Sequence, residues 1–486
     1  MNKHVIIYIL GVLMLVLSGV MLATTLAAYF ITEHFDLALF SSVLITAASG
    51  VLFWRLGKDK DRTIRKREAF VIVSLSWFAL WFFCTLPYLF GNVFTNVTDA
   101  FFEGISGLTT TGASVMNDIE AVDSGILLWR SITQWLGGMG IIVLTVALLP
   151  LLGIGGVELF VAEAPGPTTD KIHPRIKETA KRIWLIYLGL TALLMVILRL
   201  EGMTLFDAIN HAFTTMATGG FSTKNDSVAG FSPLIQYTIT FFMFLAGVNY
   251  TIIYFGLNRK FKKVWKSDEF RAYLFFTIGV ILFVTVTIFL VKDDITLEKS
   301  FRDAAFQVVS VITTTGFASS DFTLWSPMLT CVFFMLLLSG ASAGSTSGGI
   351  KMIRHLVLLK NIRLELKRLL HPKAIIRIKI DGNIVLPRVL THIMVFFILY
   401  LLIFGIGTLV MVQVLQDFSS PLSTAASAVA TAIGNVGPGV GELGPSNNFA
   451  AIPPFGKWFL MILMVIGRLE IFTILMLFSP FYWRNN

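Results

Sequence analysis

Asp303-Ala304, leading after a short apolar stretch to Thr313-Thr314-Thr315-Gly316-Phe317-Ala318, is a phrase that this chain repeats. One earlier copy runs from Asp99-Ala100 to Thr109-Thr110-Thr111-Gly112-Ala113-Ser114, and another from Asp207-Ala208 to Ala217-Thr218-Gly219-Gly220-Phe221-Ser222. In all three the Asp stands thirteen residues before the aligned Gly: 99 to 112, 207 to 220, 303 to 316. Counting thirteen back from Gly437 reaches Thr424-Ala425, so a weaker fourth copy ends in Ile433-Gly434-Asn435-Val436-Gly437-Pro438. Four copies of one phrase inside a hydrophobic chain suggest four walls around a central path. That is a pore.

The 486 residues are 55% hydrophobic and 14% charged, with 43 Phe and a mean hydropathy of +0.78. A soluble protein of that composition would expose too much apolar surface to stay dispersed. Spanning runs are expected over about 5–30, 37–54, 69–90, 125–152, 183–198, 231–257, 272–291, 324–338, 389–414 and 458–478. Most reach the roughly 20 residues needed to cross about 30 Å of hydrocarbon. The first is longer than a signal-peptide core and leads straight into the second, so it reads as a retained span. Alternating apolar and polar strands of a barrel are absent. Cys84 and Cys331, the two cysteines, both lie in apolar runs and make neither a disulfide framework nor a thiolate metal site.

The net charge of +9 matters through its placement, and no nucleic-acid partner is expected. Basic residues crowd four loops: Arg55 to Arg67, Lys171 to Arg182, Arg259 to Arg271 and Lys351 to Arg388. They alternate with the four loops that hold the repeat, which carry Asp99, Glu103, Asp118, Glu120, Asp123, Asp207, Asp226, Asp417 and Glu442. By the positive-inside rule the basic loops and both termini are cytoplasmic and the repeats enter from outside.

The expected fold is therefore an all-α polytopic membrane protein. Four pseudo-four-fold span–pore-loop–span repeats surround one pore, and an N-terminal two-helix hairpin packs at the periphery. The divisions fall at 1–68 for the hairpin and 69–157, 158–258, 259–380 and 381–486 for the repeats. Within each repeat a helix of about ten residues, some 15 Å long, reaches half-way through the bilayer. Asp99, Asp207, Asp303 and Thr424 are placed to cap its N-terminus. Its C-terminus points at the membrane centre, where four partial negative charges favour a cation. Gly112, Gly220, Gly316 and Gly437 allow φ > 0 and leave no side chain between carbonyl oxygens and the axis. Thr110, Thr111, Thr218, Thr314 and Thr315 add hydroxyl oxygens or pack behind the carbonyls. Rings of carbonyls that replace a hydration shell select K⁺ in known filters.

These four loops, with Met216 to Ser222 and Gly434-Asn435-Val436-Gly437-Pro438-Gly439 among them, resemble those of the Trk/Ktr/HKT cation transporters. The likeness is greatest to the membrane subunit of bacterial Trk potassium uptake systems, and it extends to Gly137-Gly138-Met139-Gly140 in the fourth span. It implies K⁺ uptake, with Rb⁺ as a second permeant ion and some leak of Na⁺, because Gly holds all four filter positions. The filter residues it implies are Thr110, Thr111, Gly112, Thr218, Gly219, Gly220, Thr314, Thr315, Gly316, Asn435, Val436 and Gly437. Asn435 makes the ring chemically asymmetric. The resemblance further implies a bacterial inner-membrane location, a homodimer, and regulation by a separate cytoplasmic TrkA-type ring. That ring would bind NAD and ATP or ADP and dock on the basic loops. This chain itself needs no cofactor.

Residues 339–349, Ser-Gly-Ala-Ser-Ala-Gly-Ser-Thr-Ser-Gly-Gly, have low helix propensity and can break a span inside the membrane. Gly340 and Gly344 are also spaced as a GxxxG helix-packing pair, and the residues leave both readings open. The resemblance favours a gate over 340–349, with Gly340, Gly344, Ser345, Thr346, Gly348 and Gly349 as its key positions. Arg468 lies deep in the last span near Glu470, where it is either a functional residue or a local Arg–Glu or backbone tie. Facing an ion at about 10 Å with ε near 20, it would repel by roughly 1.7 kcal/mol; in the resembling family an Arg sits near the gating loop. Gln134 and Asn249 read as interhelical hydrogen-bonding residues. The leading function is a K⁺ pore, driven by about 2.3 kcal/mol per charge per 100 mV. The alternatives are symport with H⁺ or Na⁺, for which no convincing proton carrier stands out, and an intramembrane enzyme, for which HExxH, GxSxG and P-loop signatures are missing.

Overall fold

In hydrocarbon each backbone N–H and C=O must find a partner within its own segment, so long apolar runs become helices. The computed structural model describes residues 3–58, 66–140, 176–293, 295–371 and 377–483. Among them, Lys3–Thr32, Leu37–Leu56, Lys66–Phe90, Ile176–Leu200, Asp268–Val291 and Pro387–Val414 are helices long and apolar enough to cross a membrane. Leu282, Val286, Phe289, Leu401, Ile406 and Leu409 stay exposed on them, an outer face for lipid to cover.

The first two spans form the expected hairpin, turned at Asp36, whose carboxylate accepts from Ala38 and Leu39 N–H at 2.9 and 3.0 Å. A Cβ at Gly11 would lie 2.3 Å from Trp54 N, and one at Gly57 2.3 Å from Tyr8 N, so the two backbones touch. The hairpin's second helix, Leu37–Leu56, stays largely exposed, while its first is more deeply packed. Ile9, Leu13, Leu17 and Met21 are buried, and the first helix packs against both Lys66–Phe90 and Ser124–Gly138.

Four short helices follow the sequence repeat: Val97–Leu108, Leu205–Met216, Leu297–Ile312 and Pro421–Gly434. Twelve residues extend about 18 Å, half a bilayer. Their N-caps differ from expectation. Asn96, Thr204 and Thr296 cap the first three through their side chains, and Ser420 precedes the fourth. Asp99 and Asp207 lie three residues inside, where a carboxylate still favours the helix dipole. Asp207 N–H donates to Thr204 Oγ1 at 3.0 Å while Thr204 Oγ1 donates to its carboxylate at 2.8 Å. The third helix starts one turn earlier, which carries Asp303 to mid-helix, and Thr424 lies a turn inside the fourth.

After each pore loop the chain descends as Ser124–Gly138, Pro233–Ala246, Pro327–Leu337 or Pro454–Arg468. The straight spans expected over 231–257 and 458–478 are both broken, whereas the one expected over 324–338 is a single helix, Pro327–Leu337. Pro233–Ala246 meets Tyr250–Leu257 at 107°, and Pro454–Arg468 meets Ile471–Phe478 at 111°. Asn249 initiates the second piece of the first pair by accepting Thr251 N–H at 2.8 Å, so it is a helix cap and not an interhelical tie. Glu470 makes the other bend at φ 58°. Beyond Leu337 the chain leaves helix until Met352–Leu370. Span four past residue 140, and the basic segment 171–175, lie outside the described residues. A two-stranded antiparallel hairpin, Lys379–Ile380 with Asn383–Ile384, is the one β element among them.

Candidate ion-conduction site

The four loops that end the pore helices close into a ring in chain order. A Cβ on Gly112 would stand 2.1 Å from Gly219 O, one on Gly220 2.0 Å from Thr315 O, one on Gly316 2.8 Å from Gly437 N, and one on Gly437 3.1 Å from Gly112 O. Each aligned glycine thus abuts the next loop, and the fourth abuts the first. Gly112, Gly220 and Gly316 are half-exposed although the threonines before them are buried.

Backbone handedness repeats as well. Thr110, Thr218, Thr314 and Asn435 occupy the same place, two before the aligned Gly, and have φ of 56°, 54°, 57° and 52°. A β-branched residue there is strained, by about 1–3 kcal/mol in typical cases; Asn adopts that region readily. Asn435 therefore performs in the fourth loop the turn that Thr performs in the others. Gly112, Gly220 and Gly316 follow at φ 80°, 75° and 83°. Gly437 does not share this positive φ, so the expectation of left-handed glycines holds for three copies; at the fourth, glycine answers to the close approach of Gly112 O.

Hydrogen bonds hold the loops from behind. Thr109 and Thr111 hydroxyls pair at 2.7 Å, as do Thr313 and Thr315. Asn435 Nδ2 donates to Thr111 Oγ1 and to Met464 O, both at 3.0 Å. Gln134 Nε2 donates to Gly219 O at 2.6 Å and its Oε1 accepts Phe221 N–H at 3.1 Å. Gln134 thus clamps the second loop's backbone directly. Nine residues before each aligned Gly stand Glu103, His211, Gln307 and Ala428. The first three bond residues that follow the loop: Glu103 accepts from Ser114 and Val115, His211 Nε2 meets Ser222 Oγ at 3.0 Å, and Gln307 donates to Ser320 O at 2.8 Å. Sequence reasoning overlooked Glu103 in this role. Its partner Arg130 was equally visible, as an ionisable residue within a spanning run.

Below the ring, residues 338–351 run as a non-helical segment, which removes the helical GxxxG reading of Gly340 and Gly344. Gly340 N–H donates to Ile350 O at 2.9 Å, pinching the segment at its neck. Its tip touches the filter: Gly348 N–H donates to Thr314 Oγ1 at 2.7 Å, and a Cβ at Gly348 would lie 2.4 Å from Gly434 O. Thr346 Oγ1 donates to Met216 O at 3.1 Å, and Tyr250 N–H donates to Gly344 O at 3.1 Å. Ser345 Oγ donates to Ser342 O at 2.6 Å, and Gly349 turns at φ 63°. Arg468 Nη1 donates to Thr346 O at 2.9 Å and Nη2 to Gly137 O and Gly138 O. Arg468 is thus bound to backbone carbonyls of the loop and of the first repeat, while Glu470 pairs with Arg354 at 2.5 Å. Gly137 and Gly467 each stand over the carbonyl four before the aligned Gly, Leu108 O and Ile433 O, so Arg468 occupies the place of Gly138. Among the described residues no cluster of His, Cys, Asp and Glu could hold a resident metal.

A ring of four re-entrant loops, inside a shell of apolar helices, is the architecture of a membrane cation transporter. The TrkH family model, described as cation transport protein, matches residues 37–485, and the chain belongs to that family. It is 40% identical, over the whole of both chains, to the Trk system potassium uptake protein TrkH of Salmonella typhimurium and to that of Escherichia coli. Identity to the Trk system potassium uptake protein TrkG of Escherichia coli is 35%, over 100% of this chain and 99% of the relative. The crystal structure of the potassium transporter TrkH from Vibrio parahaemolyticus superposes with a TM-score of 0.87, at 37% identity and full coverage of both chains. The chain is a transport protein and not an enzyme.

Proposed function

We propose that this chain takes up K⁺ across the bacterial inner membrane, down its electrochemical gradient, through the ring formed by residues 110–112, 218–220, 314–316 and 435–437. The observation that carries this reading is the closure of that ring by close backbone approach: each aligned glycine lies against the backbone of the next loop, a carbonyl at three joints and Gly437 N–H at the joint of the third loop with the fourth. Such a ring offers oxygen ligands without charge, which suits a large, weakly hydrated monovalent cation. Four pore-helix C-termini add their partial negative charge. The divisions 1–68, 69–157, 158–258, 259–380 and 381–486 are the units of the design, with both termini cytoplasmic.

The segment 340–349 acts as the gate. Its contacts with Thr314 and Gly434 support this role, since a loop bonded to the filter's inner end obstructs the way out. Arg468, bonded to Thr346 O, fastens the closed state and places a positive charge beside the path. A homodimer and a cytoplasmic TrkA-type ring carrying NAD and ATP or ADP complete the system; the relatives' membership of Trk systems supports that part.

Ion flux into proteoliposomes containing the purified chain, with voltage clamped by ionophore, tests the reading. K⁺ and Rb⁺ uptake should follow voltage at zero ΔpH and zero Na⁺ gradient, and exceed Na⁺ uptake. Flux that strictly requires a ΔpH or a Na⁺ gradient at fixed voltage would replace the pore with a symporter.

A further inference from the structure

Glu103 and Arg130 form a buried ion pair immediately behind the ring, at 2.6 Å, with the glutamate wholly buried and the arginine 2% exposed. Burying two charges is unfavourable unless their geometry is good and their remaining valences are satisfied. Here the partners are specific. Glu103 receives Ser114 Oγ at 3.0 Å and Val115 N–H at 3.0 Å, two and three residues after Gly112. Arg130 Nη1 donates to Ser222 O at 3.0 Å, two residues after Gly220, and the guanidinium lies 3.5 Å from the centroid of the Phe221 ring. One end of the pair grips the outgoing strand of the first loop. The other grips the equivalent strand of the second. Gln134, one turn along the same helix, then fixes Gly219 and Phe221.

Among the described residues, the other repeats do not reproduce this device. At the position of Glu103 they carry His211, Gln307 and Ala428, and the bonds described for His211 and Gln307 run to their own loops, Ser222 and Ser320. The joint between loops one and two is also where a Cβ on Gly112 would come within 2.1 Å of Gly219 O, among the tightest approaches in the ring. We infer that Glu103–Arg130 is a positioning pair that sets the spacing of the first and second filter loops, and through it the discrimination between K⁺ and Na⁺. The inference rests on the filter reading of those loops. A carbonyl ring discriminates between cations by the number, field and spacing of its oxygens. A rigid buried tie between two of its four members is a direct control on that spacing, and neither residue need touch the ion.

The test uses the full chain in proteoliposomes and measures the ratio of K⁺ to Na⁺ flux and the K⁺ concentration at half-maximal flux, with thermal unfolding in detergent measured alongside. Glu103→Gln, Arg130→Gln, Arg130→Lys and the double variant Glu103→Gln/Arg130→Gln are compared. Arg130→Gln strands a buried carboxylate and should be the least stable. The double variant should recover stability while its K⁺/Na⁺ ratio stays depressed by roughly tenfold, because neutral amides do not restore the charge-assisted two-loop tie. Arg130→Lys keeps the charge but loses the planar fork, so its ratio should fall between wild type and the double variant. Should Arg130→Gln fail to fold, Glu103→Gln and the double variant decide the matter. Folded variants that keep the wild-type ratio would reduce the pair to a stability element and overturn the inference. Wild-type protein that passes K⁺ and Na⁺ equally would instead indict the filter reading itself.

Discussion

Threonine at positive φ is a costly backbone choice for a β-branched residue, and it is made at 110, 218 and 314. What offsets it is local: hydroxyl pairs such as Thr109–Thr111 and Thr313–Thr315, and the clamp of Gln134 on the second loop. Left-handed Thr followed two residues later by left-handed Gly reverses the handedness of the chain at alternate residues, which lets it descend along a pore without forming a helix or pairing as a strand. Gly112→Ser tests that geometry. With φ at 80° and Gly219 O 2.1 Å from the new Cβ, the first loop must shift outward, and K⁺/Na⁺ flux discrimination should drop by about tenfold, equivalent to about 1.4 kcal/mol. A retained ratio in folded protein would remove Gly112 from the filter. At this scale the thirteen-residue spacing made the ring positions legible, including Gly437 in a copy without Thr-Thr-Gly. The positive φ of Thr and the burial of Glu103 against Arg130 were not legible, because neither a backbone handedness nor the pairing of a pore helix with the span that follows it leaves a mark in spacing or hydropathy.

Helix breaks govern behaviour at the scale of elements. Hydropathy marked 231–257 and 458–478 as continuous spans, since the residues at the bends, Gly247 to Asn249 and Leu469 to Glu470, perturb a window average only slightly. What bends them is packing: a Cβ on Gly247 would lie 2.8 Å from Thr313 Cγ2, and one on Gly467 2.2 Å from Ile433 O. The third repeat's break was legible, because residues 339–349 hold little but Gly, Ser, Ala and Thr. Deleting 340–349, or making the milder change Gly348→Ala, should raise basal K⁺ flux. The added methyl would fall 2.4 Å from Gly434 O and must lift the segment from the filter. Unchanged or lower flux in folded protein would withdraw the gate assignment.

Across the whole molecule, one hydrophobic cluster joins the N-terminal hairpin to the first and fourth repeats, while the second and third repeats each centre on another. The hairpin itself packs on the first repeat, against Lys66–Phe90 and Ser124–Gly138, and the first repeat in turn meets the fourth, Val97–Leu108 against Pro454–Arg468, at the seam where the ring closes; hydrophobic periodicity marks the spans but not which of them pack together. Gly11→Val places a branched side chain where a Cβ already stands 2.3 Å from Trp54 N. It should lower the unfolding temperature in detergent by several degrees, consistent with the ~1–3 kcal/mol of overpacking. The K⁺/Na⁺ ratio should not change. A shifted ratio with unchanged stability would place the hairpin in the conduction machinery.

The seam has a consequence for how the protein is made. Gly437 rests on Gly112, so the ring lacks its last stone until the final quarter of the chain has left the ribosome. Until then three strained loops must wait in the membrane with their inward oxygens unbalanced by the fourth. A cation that binds only the closed ring stabilises the assembled state by mass action. On the filter reading proposed above, the transported ion would therefore also be a folding ligand, and the closed ring would be harder to complete in its absence.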